Sequence, residues 1–474
     1  MPERDTSYFA RTNFRNEEKL FGIKQSDRLS HMYVIGKTGV GKTTLLETLA
    51  KQDLEAGRGF AFLDPHGDAV ERIALDAARE GTDRVVYLNA PDGDQPFGYN
   101  PLRKVRYDKI PLAVSGLLET LEKLWPDAWG VRMEHVLRNC LYALLEQDDA
   151  RLPDILRLFW DERYRKQIVA RVKNEPVRRF WLYEFEAYHY RQRADAVAPI
   201  QNKLGALLSD PTLYRILVNP KTDLRLRSLM DEGGVLLVNL AKGKLGEDSA
   251  HLLGGLLVST LGLAAFSRAD DPPASRRPFF LYVDEFQSFT TLMLANMMSE
   301  LRKFGVGLVL AHQYMHQLEP DVRHAVLGNA GTIISFRVGP EDAPLLAKEF
   351  QPKFDGLDLL NLPNHDIFLK LMIDSAPSQP FSASATKQKE QAPINQASSG
   401  LHTPNKQWYN GGMTKVLENT SKRVVLGRAR FAKISAVEGI HLTHEMQRDL
   451  RQFDELGLSA DERRKRIAKK YGKR

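Results

Sequence analysis

Eight consecutive residues, Gly36-Lys37-Thr38-Gly39-Val40-Gly41-Lys42-Thr43, constrain this chain more than any other stretch. They match G-x-x-x-x-G-K-[ST], follow the apolar run MYVIG (32–36) and lead into the helical pattern TTLLETLAKQ. A strand, a glycine loop and a helix in that order is the context the motif needs to cradle phosphate. Glycines let the backbone curl so that successive N–H groups point at phosphate oxygens, and the helix adds its N-terminal dipole. Residues from Gly36 to Thr44 are therefore expected to bind nucleotide. Lys42 would reach the β- and γ-phosphates of ATP, and Thr43 would ligate Mg²⁺. The bland alternative is a glycine-rich turn with a chance lysine.

A second constellation is Phe279-Phe280-Leu281-Tyr282-Val283-Asp284-Glu285, an apolar run ending in two carboxylates. Open α/β sheets bind ligands at the carboxyl ends of their strands. Asp284 can hold Mg²⁺ there, and Glu285 is placed to orient and deprotonate an attacking water. Beside a complete phosphate loop, adjacent Asp and Glu favour hydrolysis over mere nucleotide holding; alone they would make a solvated acidic turn. The run LVLAHQ ends in Gln313, either a sensor of the γ-phosphate or an ordinary strand-end glutamine. Arg302, in SELRKFGVG, is either a charge-stabilising arginine supplied to a neighbouring subunit or a solvated helix-end charge, with Arg337 a rival for the first role. Asp64-Pro65-His66-Gly67-Asp68 reads as a proline–glycine turn near the same edge. No HExxH or Cys/His constellation accompanies His66, so no metal other than Mg²⁺ is expected.

Short apolar runs bounded by turn residues or helical patterns predict buried strands at 32–36, 59–64, 84–89, 234–240, 279–284, 307–311, 332–336 and 367–373. Helices between most of them imply an α/β fold with a mostly parallel central sheet. Between Asn89 and Gly234 no convincing strand appears, but helical periodicity does: Met133, Val136, Leu137, Cys140, Leu141, Leu144 and Leu145 share one face. Cys140 is thereby a core residue. These patterns divide the chain into an N-terminal extension (1–20), a nucleotide-binding motor (21–104 and 229–385) and an inserted all-α domain (105–228). A flexible linker (386–413) rich in Gln, Ser and Asn and a basic helical C-terminal region (414–474) follow. Ser459 and Glu462 have capping-box spacing for a short helix there.

Composition narrows the setting. Of 474 residues, 43% are hydrophobic and 27% charged, ordinary for a folded soluble protein. A single cysteine excludes a disulfide framework. The net charge of +7 suggests nucleic acid, but the last sixteen residues hold eight basic and two acidic side chains, leaving +1 on the rest. The start of the chain shows no secretory signal. The longest apolar stretch, 252–266, is short of a membrane span and is expected to be a buried helix. A cytoplasmic protein, peripheral at most to the inner face of a membrane, is expected.

The segments at 21–46, 60–69, 129–146, 238–254, 281–289, 300–314 and 331–343 together resemble the TraD/TraG-type coupling-protein ATPases of conjugative type IV secretion, in the HerA/FtsK superfamily. The resemblance rests most specifically on DPHGD, the helical insertion and RKxGxxLxLAHQ. It implies a RecA-like motor, usually in a ring of six, that pumps DNA or a relaxase–DNA complex through a secretion channel. It also implies that Gln313 is the sensor glutamine, that Arg302 is the finger reaching the neighbour's ATP, and that DPHGD is a family landmark. The helical insertion would engage cargo at one mouth of the channel. Unlike typical coupling proteins, this chain shows no pair of N-terminal transmembrane helices, so either membrane anchoring falls to a partner or the motor works off the membrane. The alternatives are a superfamily ATPase driving protein secretion, pilus assembly or chromosomal DNA processing, and a docking platform that binds nucleotide without hydrolysing it.

Overall fold

The computed structural model describes residues 5–13, 18–289 and 292–386. The expected linker beyond Thr386 and the basic region 414–474 lie outside the described residues. Among the described residues, eleven strands form one mixed sheet. They are β1 (Thr6–Thr12), β2 (Leu20–Lys24), β3 (Met32–Ile35), β4 (Gly59–Asp64), β5 (Val85–Asn89), β6 (Val235–Asn239), β7 (Phe279–Val283), β8 (Val306–His312), β9 (Thr332–Ser335), β10 (Asp366–Lys370) and β11 (Phe381–Ala385). Their order is β2-β1-β11-β10-β9-β3-β8-β7-β4-β6-β5. The seven strands from β9 to β5 are parallel; the other four join antiparallel.

Burial explains the parallel part. Every residue of β3, β4, β6, β7, β8 and β9 is buried, because helices cover both faces. Register then aligns the strand ends. Ile35 pairs with His312 and Val283 with Leu310. Asp64 pairs with Asn239. The residues that follow β3, β4, β7 and β8 therefore emerge along one edge, where the chain turns into α1 (Lys42–Glu55) and α2 (Asp68–Arg79).

The long interval between β5 and β6 is helical, with α3 (Ile110–Leu124) and α4 (Val131–Leu145) first. Cys140 is fully buried on α4 among the core residues. Where this interval leaves and returns, two-residue strands Phe97–Gly98 and Thr222–Asp223 pair in parallel, a contact too short to show in a sequence pattern. Gly98 is required there, since a Cβ would lie 2.1 Å from the Ile216 carbonyl oxygen. The apolar 252–266 stretch lies in α5 (Glu247–Ser267). Among the described residues it is the one helix long and apolar enough to cross a membrane, and 72% of its apolar window is buried inside the fold.

Two expectations change. The segment set apart as an N-terminal extension carries β1, which lies between β2 and β11 with Phe9 and Ala10 fully buried. The run 367–373 is not one parallel strand. It breaks after Lys370, and Met372–Ile373 pairs antiparallel with Ala376–Pro377. The turn at Asp374 and Ser375 has φ of 50° and 65°, the left-handed pair that closes a tight hairpin. Asp27 secures it by accepting both turn N–H groups.

Candidate functional site

The phosphate loop curls at Gly39 (φ 78°) and Gly41 (φ 120°), a region closed to most side chains. At Gly41 a Cβ would also lie 2.9 Å from the His365 ring. Lys37 N–H donates to the Arg337 carbonyl at 2.9 Å, which ties the loop to the end of β9. Lys42 is buried and its Nζ donates to the carbonyls of Gly36 (2.7 Å) and Lys37 (3.0 Å). Burial pushes its ammonium below the usual lysine value, against the pull of Glu285 and Asp284.

Asp284 and Glu285 leave β7 at the same edge. Thr43 Oγ1 donates to Asp284 Oδ2 at 2.7 Å, joining residues 241 positions apart. Burial, then the neighbouring carboxylates Glu285 and Asp64, push Asp284 up to about 6. A hydroxyl and a buried carboxylate side by side form an oxygen donor set that suits a hard divalent cation. Such a charge would also offset the cost of keeping Asp284 ionised. Among the described residues no cluster of three or more His, Cys, Asp or Glu could hold a metal.

Glu285 is buried and has φ 47°, ψ 49°, a left-handed conformation uncommon for any residue other than glycine. Gln313 Nε2 donates to Glu285 Oε1 at 2.5 Å. Thr38 Oγ1 donates to Gln313 Oε1 at 2.9 Å. The loop, the carboxylate and the strand-end glutamine are thus one hydrogen-bonded chain. His312, just before Gln313, is held neutral at about 3 by burial and by Lys42.

Asp64 turns inward as a structural residue: its carboxylate accepts N–H groups of His66, Ala69 and Val70. Gly67 (φ 90°) passes so close to Asn239 that a Cβ would meet Oδ1 at 2.2 Å. His66 is exposed.

Arg302 is not part of this edge. It lies before β8, whose seven residues separate it from His312 by about 20 Å. Its charge acts on His31, at the start of β3. The turn carrying it is rigid: Arg268 donates to the Phe304 carbonyl at 3.0 Å, and Arg276 to the Lys303 carbonyl at 2.6 Å. Arg302 itself is exposed, and its guanidinium has no hydrogen-bond or ion-pair partner among the described residues. Arg337 lies beside its own phosphate loop, committed to the Leu362 carbonyl and Asn364 Oδ1.

Residues 25–257 match the family described as the central domain of the helicase HerA. The match spans just under half of the chain. No curated protein matches the sequence significantly. Among solved structures, the fold is similar to the plasmid coupling protein TrwB in complex with the non-hydrolysable GTP analogue GDPNP. That match has 16% identity and a TM-score of 0.55, and covers 83% of this chain and 97% of the other. TrwB with ADP and Mg²⁺ matches at 16% identity, TM-score 0.54, covering 82% and 97%. VirB4 of Thermoanaerobacter pseudethanolicus is similar at 14% identity and TM-score 0.55, again over 82% and 97%. The chain therefore has the RecA-like fold of these proteins. Sequence reasoning missed Gln287, whose Nε2 donates to Glu285 Oε2 at 2.7 Å; its only signal was nearness to the Asp-Glu pair.

Proposed function

We propose that this protein is a Mg²⁺-ATP-dependent DNA translocase of the conjugative coupling type, working as a ring of subunits, six by family analogy. The observation that carries the reading is the joining of Thr43 to Asp284 and of Thr38 through Gln313 to Glu285 at one sheet edge. Gly36 to Thr44 bind the phosphates, with Lys42 on the β- and γ-groups. Thr43 and Asp284 hold Mg²⁺, which supplies charge neutralisation when bound. Glu285 takes the proton of the water that attacks the γ-phosphorus. Gln313 reports whether a γ-phosphate is present, because the same amide touches loop and base. Arg302 lies too far from its own loop to act there, and its exposed guanidinium suits a neighbour's site. Contacts to DNA would be mainly to phosphates. The motor and the helical insertion are separate functional units in this reading, at the cytoplasmic face of a secretion channel and with relaxase as cargo.

The test is turnover with and without single- and double-stranded DNA, beside Lys42→Ala and Arg302→Ala. Both variants should be inactive alone. Mixed in equal parts they should recover, because about a quarter of ring interfaces would then pair an intact loop with an intact finger. No recovery would sink the shared site; turnover indifferent to DNA would favour protein secretion as the task.

The metal assignment has its own pH signature. Asp284 at about 6 carries a proton below that value, and a cation must displace it. Nucleotide binding near pH 5 should need roughly tenfold more Mg²⁺ than near pH 7. An unchanged Mg²⁺ titration would remove Asp284 as a ligand.

A further inference from the structure

The carboxylate of Glu285 is gripped from a side that the phosphate loop does not reach. Gln287 lies on the 3-10 turn Phe286–Ser288, and its amide fixes Glu285 Oε2 while Gln313 fixes Oε1. Gln287 Oε1 is buried and has no partner among the described residues, so it is free to accept from a water beside the carboxylate. The Gln287 backbone carbonyl is held in turn by Lys123 Nζ at 2.5 Å. Lys123 stands in the last turn of α3, 164 residues away in sequence. Two charged or titratable groups face it: Glu319 beyond β8 and His251 on α5. The helical side also grips the same loop by packing. Thr120 of α3 fits against Gly255 of α5, and Gly254 of α5 admits the Phe289 ring so closely that a Cβ would lie 2.2 Å from it.

We propose that Gln287 is a positioning residue for Glu285 and that Lys123 sets Gln287, so that the helical segment between β5 and β6 governs hydrolysis through these contacts. The inference rests on Glu285 being the base. A displacement of α3 by an ångström would move the Gln287 carbonyl and, through its side chain, the carboxylate; misplacement on that scale costs up to about 10²-fold in rate.

The experiment measures kcat, KM and fluorescent-nucleotide affinity for the full chain, for Lys123→Ala, Lys123→Arg, Gln287→Ala and Gln287→Met, and for the Lys123→Ala/Gln287→Ala double variant, each with its thermal midpoint. Gln287→Ala should lower kcat about 30-fold and Lys123→Ala about tenfold, with KM and nucleotide affinity unchanged. Lys123→Arg should recover most of the rate, because a guanidinium can donate to the same carbonyl. Gln287→Met, which keeps the volume without the amide, should be as slow as Gln287→Ala. The double variant should be no slower than Gln287→Ala alone, since both act through one chain. Singles within twofold of the parent, a double variant that multiplies the two losses, faster turnover in Gln287→Ala, or a change confined to KM would each overturn the inference. A parent protein that binds but never hydrolyses ATP would instead remove Glu285 as the base, and the inference with it.

Discussion

Glu285→Gln should abolish turnover while leaving nucleotide bound: a drop in kcat of about 10³-fold, or about 4 kcal/mol of transition-state stabilisation. Nucleotide affinity should stay within about twofold, because Lys42, Thr43 and Asp284 make no hydrogen bond to the Glu285 side chain. Lys42 is anchored on the Gly36 and Lys37 carbonyls, and Thr43 on Asp284. The substitution is nearly isosteric, yet it changes the hydrogen-bond arithmetic. Glu285 accepts from both Gln313 and Gln287. A glutamine keeps one acceptor oxygen and presents an NH₂ where the other was, so one neighbouring amide must turn over to meet it. Thr38, which donates to Gln313 Oε1, would register that turn. The decisive measurement is steady-state hydrolysis beside equilibrium binding of a fluorescent nucleotide. Turnover within about fivefold of the parent would move the base elsewhere. Lost binding would mean that Glu285 builds the loop rather than acts on water.

What could be read along the chain was local. β3, β4, β6, β7, β8 and β9 are runs of four to seven buried residues closed by turn chemistry, and such runs announce themselves. Gly36 to Thr43 and the pair Asp284–Glu285 were legible for the same reason: each motif is contiguous. β1 and β11 were not, since TSYFART and FSASA mix polar and apolar residues and become strands by pairing with each other across more than 370 positions. The helical face of α4 could be counted from spacing, but the Phe97–Gly98 and Thr222–Asp223 pair that closes off the insertion could not. The site follows the same rule. Gln313 was visible as a strand end, and its bonds to Thr38 and Glu285 came only with the fold. Lys123 carried no signal along the chain, and its bond to the Gln287 carbonyl came only with the fold. Arg302 could be named from resemblance; its distance from its own loop needed the sheet.

Asp53→Ala should cost about 3–5 kcal/mol of stability, the amount expected when one partner of a buried ion pair is removed. Arg28 and Asp53 are both fully buried and paired through two bonds, at 2.7 and 2.9 Å. Arg58 and Tyr282 add bonds of 2.7 and 2.5 Å to the same carboxylate. The guanidinium lies 3.9 Å over the Phe280 ring and cannot shed its proton. Alanine at 53 would leave that charge with Ser7, Gln25 and Tyr282 as its remaining polar neighbours, too little to replace a carboxylate. The cluster links β1 through Ser7, the last turn of α1 through Asp53 and β7 through Tyr282, so its loss should loosen β1 before the phosphate loop. Burial alone would push the Asp53 carboxyl up, but the Arg28 guanidinium outweighs it and holds the carboxyl below the usual carboxylate range. With that sign, the stabilisation is present above about pH 4 and fades as pH falls further. Denaturant unfolding followed at near-neutral pH and again in acid should show the parent approaching the variant in acid. Lys24→Ala, which removes a solvent-exposed partner of Asp374, should leave the midpoint unmoved. A midpoint for Asp53→Ala indistinguishable from that control would mean that Arg28 finds water or another acceptor in the folded state, and that the buried pair does not hold this edge of the sheet together.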